Sequence, residues 1–325
     1  MAGLPYPVAL DCRRLKNFSA ALDNSVESRF LDLTQVVEYS KWNFATQPRF
    51  ARSEGEALAV GKAAASWFDT LYKSGKEFDK QRFWGRQIVK DSPDEIFASG
   101  ASGPEMAVTL LASLNSVVDW LKAVLHKDTV TLVDLPCGDF HFMRTFVRSR
   151  PDVKYLGIDL STAVTDRLQA KFGSPRVQFR QHDIVAGVPE LPWGEEIDLL
   201  HNREMLQHIP IEQSLAALQN MQKMGPKYML VTTHPSAVEN RDIIRAGGFS
   251  ARNLMLPPYF HGTPLCWSKD MDAKQGLESV NALWSVPIPK YTPLWGKGSV
   301  KETTSVKLWK SAGHGGLRGQ SEVVD

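Results

Sequence analysis

From Thr129 onward the chain alternates short apolar runs with helical windows, and this alternation constrains the fold more than any other feature of the sequence. Five runs predict strands at Val130–Leu135, Tyr155–Leu160, Val177–Arg180, Ile197–His201 and Tyr228–Thr233. The windows between them predict helices at Met143–Arg150, Thr162–Phe172 and Ile211–Met224. This order is typical of βαβ crossovers, which build a parallel sheet with helices on both faces. Such sheets bind ligands at the carboxyl ends of their strands, so the residues after each strand are the candidate functional residues.

The chain before this α/β region divides into two parts that differ in hydrophobic pattern. Residues 1–62 lack a sustained hydrophobic period and predict a partly helical N-terminal extension. Residues 63–128 contain two amphipathic segments, one around Trp67–Tyr72 and one over Pro104–Leu125. We interpret residues 63–128 as a helical cap over the ligand site.

The α/β domain is expected to span residues 129–310. Residues 257–303 are rich in proline and tryptophan and predict an insertion on the substrate side of this domain. A last strand is predicted at Thr304–Trp309, and the glycine-rich tail 311–325 is predicted to be disordered.

Composition limits the class of partner. The chain of 325 residues has 38 basic and 36 acidic side chains, a near-balance that argues against a dedicated nucleic-acid binder. No apolar run approaches the roughly 20 residues that span a bilayer, so no membrane partner is expected. The three cysteines have no metal-ligand spacing, which predicts reduced thiols, no metal site and a cytoplasmic location. The basic N-terminal residues leave an organellar transit peptide as the alternative, and nothing in the sequence indicates an oligomeric state.

Acidic residues follow three successive predicted strands. The first strand ends in Asp134-Leu-Pro-Cys-Gly-Asp-Phe, in which Gly138 lets a ligand approach the backbone. Asp159 follows the second strand, 21 residues beyond Gly138, where a carboxylate accepts hydrogen bonds from ribose hydroxyls. Asp183 follows the third strand and could accept from the amine of an adenine. A single aspartate after a strand often caps a helix, and Asp139 fits that role equally well, but three in series favour a nucleotide site.

These segments resemble the motifs of class I S-adenosylmethionine-dependent methyltransferases. Val133-Asp-Leu-Pro-Cys-Gly-Asp-Phe resembles the first motif, Tyr155-Leu-Gly-Ile-Asp-Leu-Ser the second and Gln181-His-Asp-Ile the third. The stretch from Ile197 to Pro210 resembles the fourth. The match is closer to a little-characterised branch with a Pro-Cys-Gly-Asp-Phe first motif, and it covers about Phe83 to Trp309. This chain departs from the branch at three positions, with Phe142, Asn202 and Glu204 where the branch has Trp, Cys and Asp.

The resemblance implies a Rossmann-like fold with a mostly parallel seven-stranded sheet, S-adenosylmethionine as cofactor and a small-molecule methyl acceptor at oxygen, nitrogen or sulfur. The cofactor-binding residues it implies are Asp134, Pro136, Gly138, Asp139, Asp159, Leu160, Asp183, Ile184, Asn202 and Arg203. The candidate general bases are His208, Glu204, His234 and His201. Arg203 could also hold a substrate carboxylate or phosphate.

Two other classes stay open at this level. One is a catalytically silent, methyltransferase-like binding protein. The other is an NAD-dependent oxidoreductase, which normally needs Gly-x-Gly-x-x-Gly where this turn offers only Gly138.

Overall fold

Five neighbouring parallel strands make up one side of a single sheet. The computed structural model describes residues 10–18, 104–194, 196–243, 248–271 and 278–288. The strands are β1 (Leu10–Asp11), β2 (Val130–Asp134), β3 (Val153–Asp159), β4 (Val177–Gln181), β5 (Leu199–Asn202), β6 (Tyr228–Thr233), β7 (Cys266–Met271) and β8 (Ser279–Ser285). Their order across the sheet is β1-β7-β8-β6-β5-β2-β3-β4, and β8 alone runs antiparallel to its neighbours. The predicted seven-stranded, mostly parallel sheet is therefore confirmed, with the two-residue β1 as an eighth strand at one edge.

Among the described residues, four α-helices cover the two faces of the sheet. They are α1 (Pro104–Leu125), α2 (His141–Ser149), α3 (Thr162–Phe172) and α4 (Ile211–Lys223). Helices α1, α2 and α3 pack in one buried apolar cluster with Leu132, Leu199 and Leu230. Helix α4 packs in a second buried apolar cluster, together with the strand residues that directly follow these three leucines. We call these the α1 face and the α4 face. Because successive strand residues point to opposite faces, each buried strand contributes to both clusters.

Residues 266–285 do not form the substrate-side insertion that we predicted. They contribute β7 and β8, which pair with each other and join the sheet beside β6. The reason is visible in β8, where Leu283 packs on the α1 face while Ala282 and Trp284 pack on the α4 face. Proline and tryptophan content masked this alternation in the sequence. The strand predicted at Thr304–Trp309 lies outside the described residues.

Helix α1 is a core helix rather than part of a cap over the ligand site. Leu114, Val118 and Leu121 are fully buried and pack in the α1-face cluster. The segment Val108–Leu125 is long and apolar enough to cross a bilayer, and burial of this stripe accounts for its hydropathy. Residues 63–103 of the predicted cap, most of the N-terminal extension and the tail 311–325 lie outside the described residues.

A disulfide joins Cys12 to Cys266, so the prediction that all three cysteines are reduced is wrong. Strand β1 runs parallel to β7 with Leu10 opposite Cys266, which brings together two cysteines 254 positions apart. Separation in the sequence therefore said nothing about their separation in space. The expected cytoplasmic location loses the support that it drew from reduced thiols.

The disulfide makes a prediction about thiol content. Denatured, unreduced protein is expected to show one reactive thiol per chain, that of Cys137, and three after reduction. A thiol titration measures both numbers, and three thiols before reduction would contradict the pairing. The Cys12→Ser, Cys266→Ser double variant should unfold at lower temperature, because a cross-link this distant in sequence contributes up to about 5 kcal/mol in the chain-entropy model.

Candidate functional site

The carboxyl ends of β2, β3 and β5 meet around a tight turn, residues 135–139. The backbone N–H of Gly138 donates to Asp159 Oδ2 at 3.1 Å, and that of Cys137 donates to the Ile158 carbonyl at 2.8 Å. Gly138 has φ +51°, in the left-handed region where a side chain is unfavourable. The half-buried Pro136 lies in the same turn. The structure thus brings together the first two predicted motifs at the ligand-binding edge of the sheet.

Asp159 is a buried carboxylate at the last position of β3. Besides Gly138, it accepts the backbone N–H of Ser161 at 3.0 Å. Burial raises the pKa of Asp159 to about 6, and the nearby Asp134 adds to the rise, although its backbone hydrogen bonds act in the opposite direction. The carboxylate is thus held in a dry, oriented state that suits hydroxyl donors such as those of a ribose.

The raised pKa predicts a pH dependence of cofactor binding. As the pH falls through about 6, Asp159 gains a proton and loses acceptor capacity, so affinity for S-adenosylmethionine should be constant above pH 7 and decrease below it. Calorimetric titrations between pH 7.5 and 5 measure this, with a limiting slope of about tenfold per pH unit. The Asp159→Asn variant should show no such slope, and a flat wild-type profile would contradict the assignment.

Three predicted cofactor residues follow β3 and β4. Asp183 is half-buried, and its Oδ1 accepts the backbone N–H of Val185 at 2.9 Å, which shapes the loop after β4. The carbonyls of Leu160 and Ile184 accept side-chain amides from Gln181 and Asn220. The loop that would face an adenine is therefore braced by its own hydrogen bonds.

Asp134 and Asp139 are engaged with protein groups. Both Asp134 oxygens accept hydrogen bonds at 2.7 Å, one from the Tyr155 hydroxyl and one shared with His201 Nδ1. Asp139 accepts the backbone N–H of His141 at the start of α2, the capping role that we had kept open. These contacts orient β2, β3 and β5, while a role of either aspartate toward the cofactor stays a prediction.

Asn202, the last residue of β5, has an acceptor atom without a partner. Its Nδ2 donates to the Leu135 carbonyl at 2.6 Å, so the amide lies against the turn that contains Gly138. Its Oδ1 is buried and makes no hydrogen bond. An unsatisfied buried acceptor at this place fits a ligand ammonium group, such as that of the methionine moiety.

Arg203 is not free to clamp a substrate carboxylate, as we had considered. Its guanidinium makes a bidentate pair with the buried Asp270 of β7, with Nε–Oδ2 at 2.9 Å, and it lies 5.0 Å from the centre of the Phe142 ring. The pair neutralises both charges and ties the end of β5 to β7. A direct cofactor contact by Arg203 stays a prediction.

Two histidines at the site, His208 and His234, are weak bases. His208 Nδ1 faces the Gly248 carbonyl at 2.9 Å, and His234 Nδ1 accepts the backbone N–H of Arg252 at 3.2 Å. Burial lowers the pKa of each to about 4. His201 points its Nδ1 at Asp134, and its Nε2 is buried without a partner.

Glu204, like His201, has a buried proton-accepting atom without a partner. Its Oε2 accepts the side-chain amide of Gln207, while its Oε1 is buried and has no partner. Burial and the nearby Asp270 raise the pKa of Glu204 to about 8, against the lowering effect of Arg203. Its backbone has φ +55°, and its N–H donates to Thr232 Oγ1 at 3.2 Å.

Sequence reasoning missed several residues around Glu204. Asp270 and Asn281 lie on β7 and β8, which we had interpreted as an insertion, and Gln207 carried no motif signal. Among the described residues no group of three or more His, Cys, Asp or Glu side chains could hold a metal ion.

One family model and several solved structures are similar to the central part of this chain. Residues 132–225 match the family model of a methyltransferase domain. No curated protein matches the chain. Solved structures with a similar fold include magnesium protoporphyrin IX methyltransferase from Synechocystis, with bound S-adenosylmethionine, at 14% identity and TM-score 0.41 over 68% of this chain and 96% of that one. Another is 1,6-didemethyltoxoflavin-N1-methyltransferase from Burkholderia thailandensis, at 16% identity and TM-score 0.45 over 74% and 92%.

The family match covers β2 to α4, the elements that carry the Gly138 turn and the three strand-end aspartates. It agrees with the motifs that predicted the class and its cofactor. Residues 132–225 are thus similar to a methyltransferase domain, and the predicted enzyme class, an S-adenosylmethionine-dependent methyltransferase, is confirmed.

Proposed function

We propose that this protein transfers the methyl group of S-adenosylmethionine to an O–H or N–H group of a small molecule, and that Glu204 is the general base. The observation that carries the proposal is the buried Glu204 Oε1, which has no partner and lies at the carboxyl edge of the sheet after β5. The near-neutral charge of the chain favours a small molecule over a nucleic acid.

The cofactor would be held by four features of the edge. Asp159 suits the ribose hydroxyls, Asp183 the adenine amine and Asn202 Oδ1 the methionine ammonium group. Gly138 leaves room for the part of the cofactor that joins the ribose to the ammonium group. When bound, the cofactor supplies an electrophilic methyl group on a sulfonium. The protein's part is to align the acceptor with that methyl group and to exclude water.

The transfer requires a proton acceptor when the nucleophile carries hydrogen. The cofactor would supply the methyl carbon to the acceptor oxygen or nitrogen and would keep the electron pair of the carbon–sulfur bond on sulfur. The proton of the O–H or N–H group passes to Glu204 Oε1. His234 cannot take this role in the observed state, because Arg252 occupies its Nδ1 and its proton is therefore on Nε2. The lowered pKa makes His208 a weaker base.

An assay for S-adenosylhomocysteine release tests this proposal. The full chain is screened with small phenols, amines, thiols and carboxylates in the presence of S-adenosylmethionine, and turnover is expected with phenols or amines. Tight cofactor binding with no turnover of any acceptor would instead favour a catalytically silent binding protein. Tight binding of NADH would favour the oxidoreductase.

A further inference from the structure

The α1 face of the sheet changes from apolar to polar near its carboxyl edge. One row across three neighbouring strands is apolar and consists of Cys266, Leu283 and Leu230. In the next row toward the edge, Ser268 is paired with Asn281, and Asn281 with Thr232. All three side chains of this second row are buried. We call Ser268, Asn281 and Thr232 the polar row.

The hydrogen bonds of the polar row leave donors unused. Thr232 Oγ1 accepts the backbone N–H of Glu204, so its own proton goes to Asn281 Oδ1, 3.1 Å away. This contact orients the amide and leaves Asn281 Nδ2 as a buried donor without a partner. Ser268 Oγ is also unpartnered, as is Ser279 Oγ two residues along β8 on the same face.

Unused polar groups of this kind are unfavourable in a folded protein. Each buried group without a hydrogen bond costs about 1–3 kcal/mol. Three in one patch, joined through Thr232 to the backbone of Glu204, indicate that a ligand supplies the missing partners. Through Thr232 the patch lies beside Glu204, the proposed general base.

Charge limits what this ligand can be. The polar row itself contains no cationic side chain, and the nearby guanidinium of Arg203 is paired with Asp270. A ligand carboxylate would therefore not be neutralised in this row. Asn281 Nδ2 is a donor and cannot receive a hydrogen bond from an ammonium group. A neutral acceptor group, such as a carbonyl oxygen, complements Asn281 Nδ2 best.

We infer that the polar row recognises the methyl acceptor, and that this acceptor is a neutral molecule in which a carbonyl oxygen lies beside the O–H or N–H that is methylated. Asn281 Nδ2 donates to the carbonyl oxygen, Ser268 Oγ lies next to that contact, and Glu204 Oε1 receives the proton. This inference rests on the proposed function and names its substrate class.

Ligand-observed NMR on the full chain loaded with S-adenosylhomocysteine tests it with three single-ring probes. These are 2-pyridone, which has N–H beside C=O, benzoate and benzylammonium. We expect 2-pyridone to bind and the two charged probes to bind at least about tenfold more weakly. If the wild type does not bind S-adenosylhomocysteine, the proposed function itself fails. If it binds S-adenosylhomocysteine but not 2-pyridone, or prefers benzoate, the acceptor inference alone is overturned.

Two variants separate recognition from folding. Asn281→Asp keeps the acceptor for Thr232 but removes the donor, and should weaken 2-pyridone binding about tenfold or more. Ser268→Ala removes an unpartnered hydroxyl, and should weaken binding about threefold without lowering Tm. The matched control Asn115→Asp, on α1 away from the row, should bind like the wild type. Equal 2-pyridone affinity in Asn281→Asp and wild type, or a Tm loss in Ser268→Ala with unchanged binding, would overturn the inference.

Discussion

Replacing Asp159 by asparagine is expected to weaken S-adenosylmethionine binding about 100-fold. The carboxylate is buried at the end of β3 and is oriented by two backbone N–H groups, from Gly138 and Ser161. Hydrogen bonds from two ribose hydroxyls to a charged acceptor contribute about 1.5 kcal/mol or more each, and 1.4 kcal/mol corresponds to a factor of ten. Isothermal titration calorimetry at pH 7.5 measures the loss directly.

A matched exchange on the next helix serves as its control. Asp166 is exposed on α3, and Asp166→Asn removes the same charge without touching the turn. This control should bind the cofactor like the wild type. Equal affinity in Asp159→Asn and the control would show that Asp159 does not contact the ribose.

The second large effect is expected at Glu204. The Glu204→Gln variant should lower kcat by about 10²–10⁴, the range of general base catalysis, with little change in cofactor affinity. In the wild type, kcat should rise with pH through the neutral range, because the raised pKa of about 8 leaves most Glu204 protonated below it. That rise should be absent from Glu204→Gln.

Exposed Glu212 in the first turn of α4 offers the control, since Glu212→Gln is the same exchange outside the site. Stability gives a further check. A carboxyl with a raised pKa in the folded state destabilises the fold as the pH rises, so Glu204→Gln should not lower Tm at pH 8. Unchanged kcat in Glu204→Gln with an acceptor that needs deprotonation would exclude Glu204 as the base.

Local patterns predicted the parts of this protein that depend on neighbouring residues. Tyr228–Thr233 and Thr162–Phe172 have the predicted bounds, because period and turn signals specify a buried strand or an amphipathic helix locally. Gly138 and Asp159 were likewise predicted to follow successive strands, and in the structure the Gly138 N–H donates to Asp159 Oδ2 at 3.1 Å.

Contacts between distant segments could not be predicted in this way. Arg203 and Asp270 are 67 positions apart, and only the pairing of β7 with β8 brings Asp270 to the site. The same holds for the disulfide between Cys12 and Cys266. Both depend on how strands from the end of the chain join the sheet, which the sequence of either segment alone does not specify.

The left-handed backbone at Glu204 has a consequence for how this enzyme can be improved. A residue with a Cβ in that conformation costs roughly 1–2 kcal/mol relative to the ordinary helical region, and glycine would adopt it freely. Selection for thermal resistance alone would therefore favour glycine and discard the carboxylate. A change at this residue that raises the stability of the fold would therefore lower the rate of turnover. Stabilising changes are best sought elsewhere on the sheet.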